Sequence, residues 1–141
     1  MDVDELTTLS ARELLHYQEL AAAYRSLVAI LAVDGPVDPT RVTEERVRAE
    51  EATAVLRALQ ADLAPHRLLG DNVPEPVRAM WRASAALAAE AATANAALVT
   101  RADLRLTAVS ARLAEVDAGS RAMNAYRPAG ARIPVVADRR A

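Results

Sequence analysis

Two histidines and the carboxylates beside them are the side chains of this sequence best suited to chemistry. His16 has Glu13 and Glu19 three residues away on either side, so all three lie close together if the segment is helical. A di-iron bundle needs Glu-x-x-His pairs on separate helices, and Glu13-Leu-Leu-His16 has no second copy here. We therefore expect ordinary helix-surface pairing for His16, and no metal site.

The remaining nucleophiles and bases give no stronger indication of catalysis. His66 follows Pro65 at the end of a predicted helix, and no HExxH-type pattern surrounds it. The serines lack the glycine context of a nucleophile elbow, and there is no cysteine for thiolate chemistry or a disulfide. We expect a protein that is not an enzyme and that uses no cofactor. An enzyme or ligand-binding bundle with a cleft near His16 stays open as an alternative.

Charge and hydropathy exclude two classes of partner. The 141 residues carry a net charge of −2, and acidic and basic residues are interspersed. This gives neither the basic footprint of a nucleic-acid binder nor a polybasic membrane patch. The N-terminus is acidic where a signal peptide would be basic, and no apolar run reaches the roughly 18 residues of a membrane span. We expect a soluble, cytoplasmic protein that binds no nucleic acid and does not insert into a membrane.

The first predicted helix covers about 6–33. Its apolar residues alternate spacings of three and four, as in a coiled-coil seam: Tyr17, Leu20, Tyr24, Leu27 and Leu31. Ser10 with Glu13 matches a capping box, which would start the regular helix near Ala11. Acidic residues among the first five favour an earlier start through the helix dipole. A glycine–proline pair at 35–36 marks the end of the helix.

The second predicted helix covers 39–66, with Asp38 as N-cap and Pro39 at the first helical position. Its seam keeps the three-four rhythm: Val42, Glu45, Ala49, Ala52, Leu56, Leu59 and Leu63. Because only a few residues link it to the first helix, we expect the two to form an antiparallel hairpin. The glycine- and proline-containing segment 68–76 is predicted to be a connecting loop.

The third predicted helix covers 76–126 and is far longer than an ordinary globular helix. Its apolar stripe includes Val77, Trp81, Ser84, Leu87, Ala91, Leu98, Ala102, Val109, Leu113 and Val116. A break between Asn95 and Arg105 stays open, and Asn95 itself is the kind of polar seam residue that fixes register. Trp81 is read either as a core residue against the hairpin or as an anchor for a partner.

These elements predict an all-α fold: an antiparallel helical hairpin plus one very long C-terminal helix, in a coiled-coil-like bundle. We expect one domain over 1–126 and a flexible tail over 127–141. The tail has two prolines, a glycine and no helical period. Its apolar residues are predicted to contact a partner: Ile133, Val135 and Val136.

The C-terminal half resembles the flagellar export chaperones of the FlgN type. The resemblance is carried by Ala94-Asn95-Ala-Ala-Leu98, by the helix through Arg105, Leu106, Val109 and Leu113, and by Asn124-Ala-Tyr126-Arg-Pro-Ala-Gly130. In outline it extends to the leucine-rich opening helix. The sequence departs from the family pattern at Asp34-Gly35-Pro36, where related chains continue as helix, and in its extreme alanine content.

The resemblance implies a cytosolic chaperone of type III protein export. It would bind the C-terminal amphipathic helix of hook–filament junction proteins and deliver them to the export machinery. Helix-in-groove recognition would use the long helix. The predicted partner-binding residues are Asn95, Leu98, Arg101, Arg105, Leu106, Val109, Arg112, Leu113 and Val116. The alternative is a structural or adaptor coiled coil that self-associates, for example as a homodimer, through the same helix.

Overall fold

The computed structural model describes residues 1–127, and these form three α-helices joined by two short connections. Helix α1 covers Val3–Ala32, α2 covers Pro39–Arg67, and α3 covers Glu75–Ala125, with a 3₁₀ turn at Gly70–Asn72. The all-α prediction is confirmed, including the long C-terminal helix, and α3 is continuous where a break had stayed open. Residues 128–141, most of the predicted flexible tail, lie outside the described residues.

The start of α1 corrects one local prediction. Asp2 is the N-cap, and its Oδ1 accepts a hydrogen bond of 2.7 Å from the backbone N–H of Glu5. The capping box at Ser10 and Glu13 is therefore wrong, because both residues lie inside the helix and are buried. The earlier start favoured by the acidic first residues is the one found.

The other helix boundaries follow the predicted signals closely. Asp38 caps α2 by accepting from the Thr40 N–H at 2.9 Å, and Pro39 is its first residue. Gly35 has a φ of 101° in the connection between α1 and α2, a conformation that costs glycine little. The turn that reverses the chain is thus specified locally.

The structure divides into two compact units, residues 1–103 and residues 104 onward. In the first unit, α1 and α2 form the expected antiparallel hairpin. Gln60 donates a hydrogen bond of 2.5 Å to the Tyr17 hydroxyl. The first part of α3 runs parallel to α1, because residues later in α1 contact residues later in α3. Ser10 contacts Trp81, and Arg25 forms an ion pair of 2.8 Å with Glu90. The single-domain prediction for 1–126 stays a prediction.

The core of the first unit is slim because much of it is alanine. One cluster of buried residues joins all three helices: Leu20, Ala21, Ala23, Ala49, Ala52, Leu56 and Ala91. A second cluster lies near the α2–α3 connection: Leu6, Leu63, Val73 and Val77. Small side chains allow the helices to approach closely, while each buried leucine contributes roughly 1.5–3 kcal/mol. Leucine therefore supplies most of the energy, and alanine sets the spacing.

Candidate protein-binding surface

An uncovered apolar stripe runs along the second unit. We call it the distal stripe: Leu106, Val109, Leu113, Val116, Ser120 and Met123. These residues alternate spacings of three and four, so they share one side of α3. The five apolar members are 54–77 % exposed. Single exposed leucines are ordinary on protein surfaces, but a continuous row at coiled-coil spacing is typical of a protein-binding site.

This part of α3 is helical without the help of a local core. Every residue from 106 to 127 is exposed. Alanine, the strongest helix former, is the commonest residue of this segment, and proline is absent from it. Gly119 is its weak point, because glycine within a helix costs about 1 kcal/mol relative to alanine. In most proteins helical stability comes largely from packing an apolar face, so a stripe of this kind gains stability from a partner.

Charged residues flank the distal stripe on both sides. Arg105 and Arg112 directly precede Leu106 and Leu113, whereas Asp117 directly follows Val116. Arg112 and Asp117 are both exposed. One edge of the stripe is therefore basic and the other carries an acid.

The structure places the other predicted binding residues differently. Asn95 and Arg101 are exposed in the first unit, and Arg105 is half-buried in the second. Leu98 is half-buried and lines a groove of about 460 Å³ together with residues of α1 and α2, among them Tyr24, Leu27 and Ala49. Ile133, Val135 and Val136 lie outside the described residues. The structure brings together Leu106, Val109, Leu113 and Val116, with Arg112 beside them.

A polar cluster that includes the buried side chains of Ser10 and Glu13 joins the three helices of the first unit, and sequence reasoning did not find it. Glu13 of α1 is only 1 % exposed, and both of its carboxylate oxygens lie 2.5 Å from Nη2 of Arg67 in α2. The Arg67 guanidinium lies 5.4 Å from the ring centroid of Trp81 in α3. The Trp81 Nε1–H donates to the hydroxyl of buried Ser10 at 2.9 Å. Each polar group is thus satisfied by a residue from another helix.

This cluster is best understood as a register lock. Buried charges are tolerated only when they are paired, so sliding one helix past another would leave Glu13 without its partner. Trp81 also packs against the cluster of Leu6, Leu63 and Val77, which confirms the core interpretation of this residue. The sequence spacing does indicate that Ser10 and Glu13 face the core. The apolar seam that includes Tyr17 extends toward the N-terminus through Glu13, Ser10 and Leu6, at intervals of four, three and four residues.

His16 pairs with a residue of its own helix, and His66 lies at the end of α2. His16 lies 3.1 Å from a carboxylate oxygen of Glu19, one turn along α1, and both side chains are partly exposed. His66 is half-buried in the last turn of α2. Within residues 1–127 there is no group of three or more metal-ligating side chains. In the same range, no helix combines the length and the apolar character needed to cross a bilayer.

The distal stripe is thus the feature with the clearest functional geometry. Comparison with family models, curated proteins and solved structures finds no match to this chain. The evidence for a function is therefore the stripe itself: its spacing, its exposure and its flanking charges.

Proposed function

We propose that this protein is a binding module whose distal stripe receives an amphipathic helix of a partner protein. The main support is the exposure of four large apolar side chains at coiled-coil spacing. Each is more than half exposed: Leu106, Val109, Leu113 and Val116. Helix-in-groove and coiled-coil recognition both use apolar anchors at these intervals.

We further propose that the partner is an export client, and that the protein is a chaperone for hook–filament junction proteins. The support is the resemblance of the C-terminal half to FlgN-type chaperones, together with the exposed stripe in the same half. A client helix on the stripe would have its own apolar face covered until export. The buried polar lock in residues 1–103 would keep the first unit in one arrangement while α3 binds the client.

The experiment is a binding titration with the C-terminal segment of a hook–filament junction protein from the same organism, labelled for fluorescence anisotropy. We expect the wild-type chain to bind, and Leu106→Glu and Leu113→Glu each to weaken binding more than about tenfold, because each places a charge in an apolar contact. Both side chains are exposed in the free protein, at 67 % and 63 %. The melting temperature should therefore stay close to that of the wild type.

The matched control is Ala111→Glu. It adds the same charge to the same part of α3, but at a position between the two leucines and on the opposite side from the stripe. It should leave the affinity unchanged. Loss of binding in the control to the same degree, or undiminished binding in both leucine variants, would contradict the proposal.

A further inference from the structure

Heptad positions a to g describe the charges around the distal stripe. With Leu106 and Leu113 at a, the valines of the stripe occupy d. Arg105 and Arg112 then lie at g, and Asp117 lies at e. The g and e positions border the contact between two coiled-coil helices, and their charges decide partner and orientation.

Arg112 and Asp117 have complementary charges but do not face each other on one helix. They are five residues apart, which at 3.6 residues per turn separates them by about 140° around the axis. In a parallel coiled coil, however, a g residue lies beside the e residue five positions later on the neighbouring helix. Arg112 of one copy would therefore lie beside Asp117 of a second copy, and symmetry would form the same pair again.

From this complementarity we propose that the distal stripe binds the distal stripe of further copies of this chain, in parallel and in register. An antiparallel arrangement would bring g positions next to g positions. Those positions hold Arg105, Arg112 and Gly119, so Arg112 would meet no acid there. The charge pattern thus favours one orientation.

The core positions also indicate how many copies associate. Leucine at a with isoleucine at d favours three or four strands over two, and valine shares the β-branching of isoleucine. The distal stripe has leucine at Leu106 and Leu113 and valine at Val109 and Val116. We therefore expect an assembly larger than a dimer, held weakly and reversibly because the stripe spans only about three heptads.

This inference goes beyond the proposed client binding, although both use the same surface. Self-association would cover the stripe when no client is present, and a client helix would compete with it. The two proposals can be tested separately. Self-association is measured without a client protein, and client binding is measured at concentrations where the chain is a monomer.

The test is sedimentation equilibrium of the full chain over a concentration series from low micromolar to millimolar. We expect the mass of the wild type to rise with concentration. Arg112→Glu and Asp117→Arg should each weaken association by about tenfold, because attractive pairs become repulsive ones. A mixture of the two single variants should associate more strongly than either variant alone, because every contact between unlike chains is attractive.

Glu115→Arg is the control, because it makes the same charge change as Asp117→Arg at an exposed c position away from the contact. It should associate like the wild type. All three positions are exposed, so circular dichroism should show unaltered folding. A wild type that is monomeric throughout would overturn the inference. So would single variants that associate normally, or a mixture no stronger than its components.

Discussion

Residues 77–98 and residues 104–125 belong to one helix and use the same few residue types, yet they treat their apolar side chains in opposite ways. In the first part, Val77, Ser84 and Ala91 are buried against the hairpin. In the second, Leu106 and Leu113 are 67 % and 63 % exposed. Trp81 and Leu87 of the first part also pack against the hairpin, so the large apolar side chains there are at least partly covered within the chain, whereas those of the second part are not.

This difference shows that periodicity identifies an apolar face of a helix but does not indicate whether that face packs within the chain or stays exposed. Alanine lines much of the contact between α1 and α2, because small residues let the two backbones approach. A row of leucine and valine is typical of a seam between separate helices. Such a row is not by itself evidence of binding, because Leu56, Leu59 and Leu63 of α2 form a similar row and are buried in the core. What distinguishes the distal stripe is its exposure in the folded chain.

The largest expected effect compares two leucines from the two regions. Leu63 is fully buried, so Leu63→Ala should lower the free energy of unfolding by about 2–5 kcal/mol through lost burial and a cavity. Leu113→Ala changes an exposed residue and should cost less than about 0.5 kcal/mol. Urea unfolding followed by circular dichroism measures both. Equal costs would mean that Leu113 is a core residue, and the contrast between the regions would be lost.

The register lock gives the second largest effect. Arg67→Met leaves the buried Glu13 without its partner. It should cost about 2–3 kcal/mol, less than for a wholly buried pair because the Arg67 side chain is 35 % exposed. Adding Glu13→Leu should recover much of that loss, because no charge is then left unpaired. Thermal and urea unfolding of the single and double variants measure the recovery.

The control for the lock is an exposed pair on α2. Arg46 and Glu50 are 62 % and 63 % exposed at 3.3 Å, so Arg46→Met should change stability by less than about 0.5 kcal/mol. If Arg46→Met and Arg67→Met cost the same, the cluster around Trp81 is not a lock but an ordinary surface feature.

The smallest effect is pH-dependent and lies at the start of α3. A hydrogen bond from Arg82, together with the charges of Arg82 and Arg78, lowers the pKa of Glu75 below its ordinary value of 4.5. The contribution of the ionised carboxylate to stability is therefore complete above pH 4.5 and is lost as the pH falls through the lowered pKa. Glu75→Gln should lower the melting temperature slightly at pH 7, and by less at pH 2. A difference that is the same at both pH values would exclude this role.

Much of the fold was predictable from particular residues. The three-four spacing from Val42 to Leu63 identified the buried face of α2, and Asp38-Pro39 identified its start. The register lock was not predicted, because the three-residue spacing of Ser10 and Glu13 also fits a capping box, and that interpretation was chosen. Their true partners, Trp81 and Arg67, are 71 and 54 residues away in sequence. Pairing at such distances depends on how the helices pack, which local spacing does not specify.

The exposed face of the distal stripe was predicted in part for the same reason, while its role in binding stays a prediction. Leu106, Val109, Leu113 and Val116 were recognised by spacing, and the structure places them together on an exposed face. Leu98 continues the same sequence pattern but lines a groove of the first unit. Sequence spacing does not distinguish Leu98 from the residues of the distal stripe. Whether the hairpin covers a side chain of α3 depends on how the first unit folds.

The most direct test of the central claim, that α3 binds partners through residues 104–125 and not through the hairpin, is amide hydrogen exchange with mass spectrometry. The chain is measured alone at a concentration where it is a monomer, and then with a saturating partner helix. The free protein should show strong protection in α1 and α2 and weaker protection in 104–125, where few buried contacts hold the helix. Partner binding should slow exchange in 104–125 and leave α1 and α2 unchanged. New protection confined to the hairpin, or a distal segment already as protected as α1 in the free monomer, would contradict the account.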